Sequence, residues 1–360
     1  MKIGIDGSRA FLRQRTGVEE YSYQVINKLR ERLKGHRVIL YLRSRQTVDF
    51  PLPANWQIKK IHCPRLWTQV GLSLELFLHP VDVLFVPAHT VPFFHPQKTV
   101  VTVHGLEYEV MPEAYSSFER FYMRLSIKNS CRWAKKIISV SKNTKRDLMD
   151  LYEVPEEKIS LVYEGYEDKA KDVNLTEGGE SENLQPYFLF IGRLEKRKNI
   201  LGIVEAFDLF KKQTGSAHRL ILGGKFGYGG AEIKERIEKS NYKKDILMMG
   251  FVADAWKWQL FSHAQVFLFP TLYEGFGLPV LEAQSQGVPV ITSNKSSLPE
   301  VANGSAFLVD PLEPKMIAQA LVAITQDEKM AKDLIKKGYE NIKRFSWKNC
   351  ADLIAKALTE

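Results

Sequence analysis

Two carboxylates, Glu274 and Glu282, stand eight residues apart on either side of a glycine-bearing turn in the stretch YEGFGLPVLEA. Carboxylates accept hydrogen bonds from hydroxyls, so a pair fixed at one turn can hold two sets of them. Gly275 and Gly277 lie between the pair and let the backbone turn tightly and approach a ligand. Pro279 suits a first helical turn, where its missing N–H costs nothing. The backbone N–H groups of Phe276–Leu278 would then lie at a helix start, a place that stabilises anions. An anion beside hydroxyls is the chemistry of a sugar nucleotide. The same residues also make an ordinary strand-to-helix connection with one surface glutamate and one in the first turn. The stretch alone leaves both readings open.

A second cluster lies in FLFIGRLEKRKN, where Arg193 and Lys198 follow an apolar strand that ends at Gly192. Two fixed cations at a strand end can neutralise a diphosphate as a nucleotide leaves; a solvated basic loop of Arg193, Lys196, Arg197 and Lys198 is the plain alternative. His104 closes the apolar run TVVTVH, and Gly17 precedes a helical pattern. A lone histidine is more often structural than functional, and a glycine before a helix is as often one as the other.

The elements that must position these residues alternate along the chain. Strands are expected at Lys2–Ile5, Val38–Leu42, Ile58–Ile61, Val81–Val86, Thr99–Val103, Lys136–Val140 and Ile159–Tyr163. Helices are expected at Val18–Leu33, Trp67–Leu78, Phe118–Trp133 and Lys142–Tyr152, the last capped by Ser141. The polar run Asp168–Gln185 has the composition of a linker. A second alternating series follows, with strands at Tyr187–Ile191, His218–Leu222, Ile246–Met249, Val266–Phe269, Val288–Thr292 and Ala306–Val309. Its helices are expected at Asn199–Thr214, Ala231–Ser240, Ala255–His263, Leu278–Gly287, Pro314–Thr325, Glu328–Phe345 and Trp347–Leu358. This is an α/β chain of two doubly wound domains, whose ligands belong at the carboxyl ends of the strands.

Taken together, EGFGLPVLEA with its E-x7-E pattern and the G-R-x4-K-N form at 192–199 resemble the retaining family 4 glycosyltransferases. SVSK at 139–142, KISLVYEG at 158–165, LILGGK at 220–225, GFVAD at 250–254, SLPEV at 297–301 and LVDP at 308–311 extend the resemblance over nearly the whole chain. It is strongest from Tyr187 to Pro311 and weakest over 43–80. The resemblance implies the GT-B fold, two Rossmann-like domains facing a central cleft. On this reading residues 1–168 form the acceptor-side domain and 169–186 the linker. Residues 187–345 form the nucleotide-sugar domain, and 346–360 a helix returning to the first.

It further implies roles. Glu282 binds the ribose diol, Glu274 the sugar hydroxyls, and Gly275, Phe276, Gly277 and Leu278 the sugar and phosphate through their backbone. Arg193 and Lys198 hold the leaving diphosphate, His104 positions the sugar, and Gly17 lies beside the phosphates. The chain departs from the family where Gly105 replaces the acid that usually follows the histidine, with Glu107 as a stand-in. It departs again where Glu19-Glu20 replaces a basic residue before Tyr21. Wording closest to bacterial mannosyltransferases of surface-polysaccharide assembly makes GDP-mannose the favoured donor, and a glycan or lipid-linked sugar the acceptor. Arg9–Arg15 and Pro64–Gln69 are the acceptor-side candidates.

Composition bounds the rest. A chain of 360 residues with 44% hydrophobic and 26% charged residues reads as a soluble two-domain protein. No run approaches the roughly 18–20 apolar residues of a membrane-spanning helix. MKIGIDGSRA lacks the apolar core of a secretory leader, and three scattered cysteines read as reduced thiols, so a cytoplasmic protein is expected. With no Asp-x-Asp pair to hold a divalent ion, neither metal nor cofactor is expected, the nucleotide sugar being a substrate. The formal charge is +9, and residues 1–168 hold 25 Lys and Arg against 19 Asp and Glu. The runs Arg9/Arg13/Arg15, Arg30/Arg32/Lys34/Arg37 and Arg43/Arg45 fit either a solvated surface or peripheral contact with an anionic membrane. No nucleic-acid motif accompanies them. A nucleotide-sugar 2-epimerase of the same fold, and a non-catalytic basic protein that binds membrane or nucleic acid, are the rival functions.

Overall fold

The computed structural model describes residues 1–12, 14–167 and 186–360. The linker expected at 169–186 falls outside them but for Pro186, as does Arg13. The chain divides into two compact units, Met1–Gly165 with Phe345–Glu360, and Tyr166–Arg344.

The first unit begins with β1 (Lys2–Asp6), α1 (Gly17–Arg32), β2 (Arg37–Arg43) and β3 (Trp56–Ile61), followed by α2 (Ser73–Leu78). It continues through β4 (Val83–Val86), β5 (Lys98–Val103), a short α3 (Glu107–Val110), α4 (Ser117–Trp133), β6 (Lys136–Ser139), α5 (Lys142–Tyr152) and β7 (Ile159–Leu161). Its sheet is parallel in the order β3-β2-β1-β4-β5-β6-β7. Parallel strands covered on both faces must be apolar throughout, and β4 (VLFV) is buried at every position. Ser141 caps α5 by accepting the Thr144 N–H at 3.0 Å. Residues Trp67–Leu72, expected as the first half of an α-helix, instead form a π-helical turn leading into α2.

The second unit runs β8 (Tyr187–Ile191), α6 (Ile200–Thr214), β9 (Arg219–Gly223), α7 (Gly230–Glu238), β10 (Ile246–Gly250), α8 (Asp254–His263) and β11 (Val266–Phe269). Then come α9 (Leu278–Ser285), β12 (Val290–Ser293), a five-residue α10 (Leu298–Ala302), β13 (Phe307–Val309), α11 (Pro314–Gln326) and α12 (Glu328–Ile342). Its parallel sheet has the order β10-β9-β8-β11-β12-β13. An aromatic core of Phe188, Phe190, Phe207, Phe210, Phe261 and Phe267 fills the space between sheet and helices.

The last helix, α13 (Trp347–Thr359), packs on α1 of the first unit, where Asp352 accepts from Arg32 at 2.8 Å. Gly165 permits this docking, because a Cβ there would fall 2.2 Å from the Trp347 nitrogen. In each sheet the strand order reverses once, between β1 and β4 and between β8 and β11. A crevice opens at such a switch point outside the carboxyl ends of the strands.

Candidate active site

In the second unit the switch point is where the singled-out residues gather. The chain leaves β8 through Gly192 and Arg193 and makes a 3-10 turn at Lys196–Lys198. It enters α6 through Asn199, which sits in the left-handed region at φ +57°. Asn tolerates that conformation, and its side-chain amide donates to the carbonyls of Pro270 at 3.1 Å and Pro311 at 2.6 Å. The turn is thereby fastened to the loop after β11, which carries Glu274.

Lys198 Nζ donates to Glu274 Oε1 at 2.5 Å, and both side chains are largely buried. Arg197 joins them: its guanidinium donates to the Tyr273 carbonyl at 2.9 Å and lies 3.4 Å from Glu274 Oε2. It also reaches Glu195 at 3.0 Å. Burial by itself would push the Glu274 carboxyl up, but Lys198 and Arg197 outweigh it and hold the group below the usual carboxylate range. Burial draws the Lys198 ammonium below its ordinary value, with Glu274 opposing. Arg193 stands apart from this core. Its side chain is 69% exposed and lies 3.6 Å from Glu195, so it edges the cluster rather than sharing Glu274.

The loop between Glu274 and α9 is held from one side. Ser297 Oγ donates to the carbonyls of Glu274 at 3.0 Å and Phe276 at 2.6 Å, and Ser296 Oγ accepts the Glu274 N–H at 3.0 Å. Gly277 lies at φ +126°, a conformation side chains rarely adopt, and a Cβ there would meet Leu298 at 2.8 Å. Leu278 follows as the first residue of α9, with Pro279 behind it. Glu282 lies in the middle of α9 and has its own cation, Lys257 of α8, at 2.5 Å. Each glutamate therefore has a separate charge partner.

In the first unit, His104 follows β5 with both ring nitrogens engaged. Nε2 faces the Pro87 carbonyl at 2.9 Å and Nδ1 faces Glu164 Oε1 at 3.2 Å. The ring also meets the edge of Tyr21 at 4.6 Å and His89 at 5.2 Å. The carboxylate beside His104 is thus Glu164, sixty residues away, and not Glu107, which lies in α3. Gly17 is the first residue of α1, where a Cβ would meet no heavy atom within 4 Å. The departures around it have structural uses. Glu19 accepts the Thr16 N–H at 3.2 Å, Glu20 pairs with Arg15 at 3.1 Å, and Tyr21 bonds Thr102 at 3.1 Å. Of the acceptor-side candidates, Trp67 is a core residue.

Sequence reasoning passed over Arg197, Lys257 and Glu164. Arg197 was visible as one member of a basic run. Glu164 was visible only as part of YEG, and nothing local marked Lys257. Among the described residues no group of three or more His, Cys, Asp or Glu side chains could hold a metal ion. No helix among them is long and apolar enough to cross a membrane.

Known proteins resemble both units. Residues 15–169 match the family described as Glycosyltransferase Family 4, and residues 176–341 the one described as Glycosyl transferases group 1. The O-antigen chain mannosyltransferase B of Escherichia coli is 31% identical over 275 residues, covering 73% of this chain and 71% of that protein. The O-antigen chain mannosyltransferase RfbU of Salmonella typhimurium is 26% identical over 273 residues, covering 76% and 72%. Among solved structures, Anabaena HepE in complex with UDP-glucose superposes with a TM-score of 0.73 at 17% identity, covering 100% of this chain and 99% of that one. WaaG, a glycosyltransferase involved in lipopolysaccharide biosynthesis, gives a TM-score of 0.72 at 14% identity, covering 99% of each. The two parallel sheets and these neighbours make the fold GT-B, and the chain belongs to the family 4 glycosyltransferases.

Proposed function

We propose that the enzyme transfers mannose from GDP-mannose, with retention, to a hydroxyl of a glycan or lipid-linked sugar in surface-polysaccharide assembly at the cytoplasmic face of a membrane. The observation that carries a nucleotide-sugar site is the charge cluster at the β8–β11 switch point, with Lys198 and Arg197 on Glu274 and Arg193 at its edge. The choice of mannose rests on relatives named as O-antigen mannosyltransferases.

In this reading the diphosphate meets Lys198, Arg193 and Arg197 together with the N–H groups of Phe276–Leu278. Glu274 accepts from the sugar hydroxyls and Glu282 from the ribose diol. His104 fixes the sugar from the first unit, and Glu164 fixes His104. The bond from the anomeric carbon to the diphosphate breaks as the acceptor oxygen bonds on the same face. The acceptor proton passes to a diphosphate oxygen. Cationic side chains stabilise the leaving charge, so no divalent ion and no cofactor are required.

The test is transfer by the purified protein with GDP-mannose or UDP-glucose, with and without EDTA, and with product configuration read by NMR. An α-mannoside formed equally in EDTA is expected. Turnover with UDP-glucose alone overturns the donor, and strict dependence on added metal overturns the charge mechanism. Conversion of the nucleotide sugar without an acceptor would favour the epimerase reading.

A further inference from the structure

The arginine runs expected to meet an anionic partner are largely engaged within the first unit. Arg15 pairs with Glu20, Arg32 with Asp352 and Glu31, and Arg9 with Glu19, while Arg30 bonds the Pro51 carbonyl. Uncompensated positive charge lies elsewhere, among lysines at the amino ends of the strands. Lys98 opens β5, Lys135 and Lys136 lead into β6, and Lys158 precedes β7. Strand order sets them side by side, because β5, β6 and β7 are neighbours in a parallel sheet. They line a cavity of about 960 Å³, bounded also by Ala357 and Glu360 at the end of α13. Every residue around it belongs to the first unit. His104 follows the other end of β5, so the cavity opens on the opposite edge of the same sheet.

The acids around the cavity are mostly occupied. Asp82 accepts the Lys2 N–H at 2.7 Å and Glu360 lies 3.5 Å from Lys356, which leaves Glu157. Among the described residues none of the four lysines has an ion-pair partner. Two are nevertheless held in place. Lys136 Nζ donates to the Glu157 carbonyl at 3.0 Å, and Lys158 Nζ to the Arg132 carbonyl at 2.9 Å. An ammonium has three donors, so each keeps two for a ligand. Burial lowers the Lys158 ammonium below its ordinary range, and the Lys135 charge adds to the fall.

The negative end of α13 supplies only about half a charge against this group. Four like charges facing one carboxylate repel one another, and a multivalent anion relieves that repulsion. The buried side chains of Val81, Val100 and Ala134 add an apolar lining, and the volume lies within the roughly 300–1,000 Å³ of small-molecule sites. We propose that this cavity binds a small anion carrying two or more phosphates, held by Lys98, Lys135, Lys136 and Lys158 against the end of α13. The site is separate from the cluster around Glu274 and does not depend on the proposed transfer reaction.

The experiment is titration of the full chain with inorganic tripolyphosphate. It is read by the methyl NMR signals of Val81, Val100, Ala134 and Ala357 around the cavity, and of Leu278 and Val280 in α9. Saturable movement of the cavity signals is expected, at an affinity that falls with salt. The double variant Lys98→Ala, Lys135→Ala removes two charged donors that hold no carbonyl, so it keeps the parent's melting temperature. At the cavity it loses about tenfold or more in affinity. Cavity signals that stay still overturn the proposal, as does movement confined to Leu278 and Val280, which places the anion at the Glu274 cluster alone. Wild-type affinity at the cavity in the double variant overturns it too, because the lysines then do not hold the anion.

Discussion

Both units place a buried carboxylate contact at the carboxyl ends of their strands, but the two contacts are built on opposite principles. In the second unit Glu274 faces two cations, Lys198 and Arg197, and Arg193 edges the group. Positive charge exceeds negative at the switch point, so a diphosphate can be received by redistributing contacts that already exist. In the first unit His104 lies between two acceptors, the Pro87 carbonyl and Glu164. Tyr21 and Cys350 close the pocket around it. In the first arrangement cations outnumber the carboxylate they face, whereas the second fixes a ring between two acceptors.

Breaking the first contact should have the largest effect. Removing one partner of a buried pair leaves an uncompensated charge and costs about 3–5 kcal/mol. Arg197 still faces Glu274, so Lys198→Met should fall near the lower end, about 3 kcal/mol in urea unfolding. Lys198→Met with Glu274→Gln should recover most of that stability while transfer stays at least about a thousandfold down, as expected when leaving-group charge is left unstabilised. Recovery of transfer in the double variant would show that the pair serves the fold alone. Glu274 titrates lower in the folded chain than in the unfolded one. Its stabilisation is therefore present above the ordinary carboxylate range and lost on acidification through the folded value, a loss that the double variant should lack.

The same contrast explains what could be read from the chain. Runs such as YFLFI and VFLF are buried on both faces of a parallel sheet, so apolarity alone located β8 and β11 to the residue. Strand ends alone leave Lys198 in a solvated loop; it is the family resemblance that groups it with Glu274, which it contacts in the fold. Arg197 was read as a member of a solvated basic loop, because only the 3-10 turn reveals that it points at the Tyr273 carbonyl. Glu164 and Lys257 depend on pairings sixty and twenty-five residues apart, set by strand order and helix packing rather than local pattern. Short elements escaped for a related reason. Helices α3 and α10 have four and five residues, too few for a period to show, and a π-helical turn has the same apolar residues as an α-helical one.

The second contact can be broken with less damage. Glu164→Gln keeps the size of the side chain and lets its amide donate to a deprotonated Nδ1, so a hydrogen bond survives. A loss of about 2 kcal/mol is expected, within the range for a buried charged hydrogen bond. The decisive reading is the ¹⁵N shift of His104 Nδ1, which should move from its parent value when the carboxylate facing it becomes an amide. If it does not move, Glu164 does not bond the ring, and the comparison between the two units fails.

The smallest effect sharpens the comparison from within the first unit. His89 lies beside His104 at the end of β4, at φ +43° and with a buried Nδ1 that has no partner. Burial, then the neighbouring His104 and Arg9, lower its pKa to about 3. The folded chain thus binds fewer protons here than the unfolded one, whose histidine titrates near its ordinary value. Linkage then fixes the sign: the contribution is complete above that ordinary value and is withdrawn as pH falls towards about 3. Between neutral pH and one unit below the unfolded value, this amounts to about 1 kcal/mol. Asparagine accepts positive φ and does not titrate, so His89→Asn should keep the backbone and remove only this dependence. Urea unfolding of both proteins over that range should show the parent losing about 1 kcal/mol more than the variant. Equal losses would mean that His89 is protonated in the fold, and that a charged imidazole rather than a neutral ring lies beside His104.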